Sequence, residues 1–198
     1  MKKLLASLVC VCCWITIAVA GPFGTEMGDR PEKFSGMIKY DDHYETSEVP
    51  SPHSLLKSYS LEFTKSSELF AVSGITALYL NDITGVEVQT AYDQLKKDLI
   101  SKYGKPVVQE ALDSRSSLRS NDQFSLGIYK KERTHSSFWV DGITGKLPDD
   151  LYSIALMIVT PRGEKDPAVI LRYSYKNEPK SNTPKSDTTK IQTDQDAL

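Results

Sequence analysis

Residues 84–106, TGVEVQTAYDQLKKDLISKYGKP, decide the fold. Val88, Tyr92, Leu95, Leu99 and Tyr103 recur at steps of four, three, four and four, which draws one apolar stripe along a helix of 3.6 residues per turn. Lys96, Lys97, Asp98 and Lys102 take the outer face. Thr84 and Glu87 have capping-box spacing, and Gly104 with Pro106 supplies a C-cap and a stop. About eighteen residues at roughly 1.5 Å rise give a rod of about 27 Å, long enough to cover one face of a sheet.

Strands are expected on both sides of that helix. Upstream, Leu55 to Phe63 alternates, with Leu55, Tyr59, Leu61 and Phe63 on one face and Ser58, Ser60 and Glu62 on the other. Leu69 to Leu80 reads as its hairpin partner, with Gly74 as a bulge. Downstream, Ser136 to Val140, Leu151 to Thr160 and Ala168 to Lys176 read as three strands of a meander, with Pro161 to Pro167 as a hairpin loop. Tyr152, Ile154, Leu156 and Ile158 share one face, as do Val169, Leu171, Tyr173 and Tyr175.

Three further segments are less regular. Phe23 to Gly36 reads as a short helix, with Asp29 and Glu32 at capping-box spacing, Pro31 in the first turn, and Met27 and Phe34 as buried contacts. Tyr40 to His53 is polar, carries Pro50 and Pro52, and reads as a loop or an edge segment. Gln109 to Asn121 reads as a polar link. Phe124 to Arg133 fits either a strand or a short helix capped by Asp122, and the helix is taken. The expected fold class is α+β: an antiparallel sheet, made of a hairpin plus a three-stranded meander, with one long helix on a face and one or two short helices. A short helix with a hairpin followed by a long helix with a meander suggests two loosely similar halves.

The ends of the chain differ from its body. Lys2 and Lys3 precede an apolar run, Leu4 to Val19, and Ala18-Val19-Ala20 matches the small-x-small site cleaved by signal peptidase before Gly21. The expectation is a cleaved signal peptide at 1–20 and a periplasmic or secreted protein. All three cysteines, Cys10, Cys12 and Cys13, fall in that leader, and Val9 and Ser7 before Cys10 make a poor lipoprotein signal. A chain cleaved there carries no thiol, which excludes disulfides, cysteine nucleophiles and cysteine-held metals. Residues 21–176 then form a single domain. From Asn177 to Leu198 only Ile191, Ala197 and Leu198 are apolar, the composition of a disordered tail.

Charge and motifs restrict the chemistry. Without Lys2 and Lys3, 22 basic residues face 26 acidic ones, a net charge of −4 that argues against a nucleic-acid partner. The histidines are three: His43 within Asp41-Asp42-His43-Tyr44-Glu45, then His53 and His135. His43 with Asp41, Asp42 and His53 is the one sequence cluster resembling a metal site, although neighbours on an extended strand point to opposite faces. His135 with Ser136 or Ser137 is the one place where a nucleophile triad can be drawn. No G-x-S-x-G elbow occurs, and the turn Gly142-Ile143-Thr144-Gly145 lacks the lysine and helix of a phosphate loop. No catalytic, cofactor-binding or metal-ligating residue is assigned. The ten tyrosines and Trp139 suggest an aromatic sheet face (Tyr173 with Tyr175, Tyr59 with Phe63) that either binds a partner or packs beneath the helix.

The segments F-G-x-x-M-G (Phe23 to Gly28) and K-Y-G-K-P (Lys102 to Pro106), with Glu132-Arg133 and Trp139 downstream, resemble an uncharacterised family of small exported bacterial proteins. That likeness spans most of the body of the chain and implies no activity. A glycine-led short helix, and a long helix ending in G-x-P before an antiparallel meander, are similar to the periplasmic modules built as in the β-lactamase-inhibitor protein and the outer-membrane assembly lipoproteins. Those are binding and scaffolding domains. This chain departs from them in lacking a lipobox and in the hairpin between its helices. The expected function is a non-catalytic binding or adaptor module of the bacterial cell envelope, with an envelope protein or peptide as partner and no membrane span after cleavage. The alternative is a hydrolase or metal-dependent enzyme using His43, Asp41, Asp42 or His135.

Overall fold

The structure is a computed structural model and describes residues 21–119, 123–148 and 150–179. The leader (1–20), the cap at Asp122 and the tail from Lys180 lie outside the described residues. In chain order the elements are β1 (Ile38–Lys39), β2 (Tyr44–Thr46), β3 (Leu56–Phe63), β4 (Leu69–Thr76), α1 (Val86–Tyr103), β5 (Val107–Leu112), α2 (Phe124–Tyr129), β6 (Arg133–Val140), β7 (Leu151–Val159) and β8 (Ala168–Tyr175). The strands form one antiparallel sheet in the order β1-β2-β3-β4-β8-β7-β6-β5. The fold class is α+β. In place of the expected hairpin plus three-stranded meander, all eight strands form one sheet, in which β1 to β4 and β5 to β8 are two four-stranded runs that meet last strand to last strand at β4 and β8.

Helix α1 lies on one face of the sheet, against β7 and β8. Its stripe of Val88, Tyr92, Leu95 and Leu99 is buried together with Ala91, and Tyr103 packs at its end. Below it sit Tyr59 and Leu61 of β3, Val72 of β4, Trp139 of β6, Ile154, Leu156 and Ile158 of β7, and Val169, Leu171, Tyr173 and Tyr175 of β8. At roughly 25 cal/mol per Å² of apolar surface, burying side chains of this size is the main source of the domain's stability.

The helix ends differently from its beginning. Gly104, at φ 81°, closes the C-terminus by donating its N–H to Ile100, and its carbonyl accepts the Trp139 indole N–H at 2.7 Å. At the start, Gly85 in the left-handed region replaces Thr84 as N-cap, and the Asp82 carboxylate accepts the Val88 N–H at 2.9 Å. The Thr84–Glu87 capping box is therefore not formed. A Cβ at Gly85 would collide with the Phe124 ring, so glycine is required there by both conformation and space.

Other departures have local causes. Phe23 to Gly36 is not a helix but two 3₁₀ turns, Pro22–Gly24 and Pro31–Lys33, with Phe34 buried and Met27 exposed. Its backbone bonds elsewhere: Gly28 donates to Leu69, Leu69 to Asp29, and Ser51 to Phe23. Asp29 accepts the Glu26 N–H and pairs with Lys33 instead of capping. Phe23 packs edge-on against Tyr59 and Tyr173, and the Tyr175 hydroxyl hydrogen-bonds Thr25 Oγ1 at 2.8 Å. The polar segment 40–53 holds β2, which forms an edge hairpin with β1.

Gly74 keeps regular register with Tyr59 and Leu171, and the irregularities fall at Leu56/Ser58 and Glu62/Phe63. The glycine is needed because a Cβ there would collide with Leu56. A further irregularity at Leu151/Ser153 turns Tyr152 out to solvent and puts Leu151 in the core, reversing the expected facing of that pair. Within the expected link 109–121, residues 109–112 complete β5, an edge strand exposed over most of its length. Asn177 and Glu178, placed in the expected tail, are tied to the body: Asn177 Nδ2 donates to the Leu69 carbonyl, and Glu178 meets Arg172.

Candidate functional site

The residues singled out for chemistry fall in different places. His43 lies at the β1–β2 hairpin, stacked on Tyr40, with Nδ1 at 2.7 Å from Asp42 and Nε2 at 3.3 Å from Glu45. The Asp42 carboxylate, hydrogen-bonded to the ring, pushes the imidazole above its ordinary value, and the ring holds Asp42 below the usual carboxylate range. Asp41 is exposed. His53 belongs elsewhere: Nδ1 accepts the Leu55 N–H, and Nε2 is 3.8 Å from Asp98 on α1. Among the described residues no three histidine, aspartate or glutamate side chains converge as a metal would require.

His135 lies beneath α1, edge-on to Tyr92 at 4.5 Å and to Phe124 at 5.6 Å between ring centres. Burial pushes its imidazole below the ordinary value, against the opposing effect of Glu110. Ser137 shares its face of β6, but that hydroxyl is buried and hydrogen-bonded to the Tyr92 hydroxyl at 2.7 Å. Ser136 points to the other face of the sheet, so neither serine forms a triad with His135. Burial also raises Tyr92, to about 12. His43 and His135 lie five strand steps apart in the sheet order, about 24 Å at ~4.8 Å per step. Gly142 and Gly145 close a tight turn whose N–H groups bond within it.

The aromatic candidates resolve the same way. Tyr59, Tyr173 and Tyr175 are buried beneath α1, where burial drives the phenols of Tyr173 and Tyr175 far above their usual range. They form the core, and the face they occupy is closed.

The opposite face of the sheet is where the structure leaves room. Register places one row across all eight strands: Ile38, Glu45, Ser60, Ser73, Arg172, Ala155, Phe138 and Val107. A second row runs Ser58, Ile75, Ile170, Met157, Ser136 and Gln109, and a third Glu62, Ala71, Ser174, Ser153 and Val140. The large members of these rows are partly or fully exposed, whereas those buried are small: Ala71, Ser136 and Ser174. Ile75, Ile170, Met157, Ala155, Phe138 and Val107 are neighbours in register and make a continuous apolar band over β4, β8, β7, β6 and β5. At the centre, Arg172 is bound to Glu62 and to Glu178, which removes its charge from reach of an outside anion. A contiguous apolar band with its central charge internally neutralised suits contact with another molecule and supplies no acid, base or nucleophile.

This surface was hidden in the sequence because its residues belong to strands far apart in the chain. Glu62 and Arg172, for example, are 110 residues apart. The available signal was the mixed character of Ser153, Ala155, Met157, Ile170, Arg172 and Ser174. Among the described residues no helix is long and apolar enough to cross a membrane. Compared with known protein families, with curated proteins and with solved structures, the chain matches none.

Proposed function

We propose that this chain is a non-catalytic binding or adaptor module, exported to the bacterial cell envelope by its leader, and that it holds its partner on the bare face of the sheet. The observation carrying this reading is the apolar band from Ile75 to Val107, part-exposed among the described residues while α1 closes the other face. Core-sized side chains such as Phe138 and Met157 are only partly buried there and stay outside the core cluster. Desolvating such a band on association is the usual source of interface energy. The histidine sites give no support to hydrolysis: Ser137 is tied to Tyr92 in the core, and His43 lies on the far side of the sheet.

The test is capture from envelope extract with the wild-type chain, with Phe138→Asp and Met157→Asp, and with His43→Ala as control. Both aspartate variants should keep the wild-type melting temperature within a few degrees, because their side chains do not enter the core, and should lose a partner that His43→Ala retains. A partner retained by both aspartate variants would move the binding surface away from this face.

A further inference from the structure

We propose that β5 is a self-association edge: two copies of the chain pair β5 to β5 antiparallel, joining their sheets into one of sixteen strands. The phase of the β5 backbone points to this pairing, whatever the bare face binds. Asp113, just beyond the strand, donates its N–H to the Glu132 carbonyl at 2.7 Å, and the same register pairs Val107 with Phe138 and Leu112 with Arg133. Antiparallel ladders alternate bonded and non-bonded pairs, so Val107, Gln109 and Ala111 bond inward to β6. The N–H and C=O groups of Val108, Glu110 and Leu112 therefore face outward, and among the described residues no backbone or side-chain group bonds them.

An edge of this kind is usually blunted by shortness, lysine, proline or a bulge. The other edge, β1, is two residues long and carries Lys39. β5 has six residues in unbroken register, no lysine or proline, and half-bare valines on both faces, Val107 at 43% and Val108 at 45% exposure.

The strand also complements itself. Centred on Gln109, a two-fold antiparallel pairing sets Val108 opposite Glu110 of the second copy, and Leu112 opposite Pro106. All outward N–H groups then find a carbonyl, and Pro106, which has no N–H, meets Leu112 using its carbonyl alone. On the bare face Val107 comes opposite Ala111 and Gln109 opposite Gln109, so no like charges oppose each other. A strand pair this short buries less than a standard interface, so the dimer is weak and concentration-dependent.

Because the Glu110 N–H points outward, Glu110→Pro removes a pairing donor without breaking a bond to β6, a position where edge strands tolerate proline. Glu110→Ala removes the same side chain and keeps the donor. Sedimentation of the chain from residue 21 over about a hundred-fold range of concentration should show the wild type and Glu110→Ala moving from monomer toward dimer, with Glu110→Pro remaining monomeric. In the wild type, amide exchange at Val108, Glu110 and Leu112 should slow as concentration rises, a readout that needs no variant. A wild type that stays monomeric throughout, or a dimer that Glu110→Pro leaves intact, overturns the proposal.

Discussion

His135 shows how one side chain carries a pH response without carrying chemistry. Its ring is held between Tyr92 and Phe124, and burial keeps its proton affinity below that of a free imidazole. The groups around it are Glu110 on β5 at 3.8 Å, Lys96 and Asp93 on α1, and Arg133 on its own strand. Its folded pKa is depressed, so below about 6.5 the unfolded chain binds a proton that the folded chain refuses. Stability contributed by the neutral ring is complete above 6.5 and falls as the pH drops toward the folded value. His43 has the opposite sign, but it pairs at the surface with a fully exposed Asp42, where solvent screens the effect. Thermal melts from pH 7.5 to 5 should show a fall in the wild type that His135→Phe reduces. An equal fall in both would remove His135 as the cause. The sequence displayed His135 beside Ser136 and Ser137, and strand alternation, which decides what the ring meets, appears only once β6 is in place.

At the scale of the element, α1 was the most legible part of the chain and its first turn the least. The stripe from Val88 to Leu99 predicts a buried face because packing is periodic in the sequence, whereas the cap depends on where the incoming loop turns. Asp82 reaches past Gly85 to the Val88 N–H, and its own carbonyl accepts the Ser125 hydroxyl from α2. Asp82→Ala should therefore cost about 0.5–2 kcal/mol, while Thr84→Ala, at an exposed position with no capping bond, should be close to neutral. Chemical denaturation of the two variants checks this, and equal losses would restore the capping box. β5 escaped detection for a related reason. A strand exposed on both faces has no apolar alternation to read, so it resembles a polar link until its neighbour is known. Phe23, Gly104 and Glu132 have structural roles here: Phe23 fills the core, Gly104 ends α1, and Glu132 accepts the Ser116 hydroxyl at 2.6 Å. Such residues speak for a fold and say little about a partner.

For the whole molecule, the decisive feature is the seam between β4 and β8. Among the described residues the last strand to leave the ribosome, β8, occupies the middle of the sheet, with β4 on one side and β7 on the other. A chain ending at Pro167 keeps both meanders short of their common neighbour, leaves the underside of α1 without Leu171 and Tyr173, and loses the Tyr175 hydroxyl that anchors Thr25. Such a truncation should show no cooperative thermal transition, whereas the full-length chain should show one. A cooperative transition in the shorter form would place the stability of the fold elsewhere. The seam also has a consequence in time. Until its final strand is synthesised, the chain cannot close its central ladder, so a nascent form emerging from the ribosome stays loose and threadable. Strand order therefore postpones closure of the sheet until synthesis has passed β8.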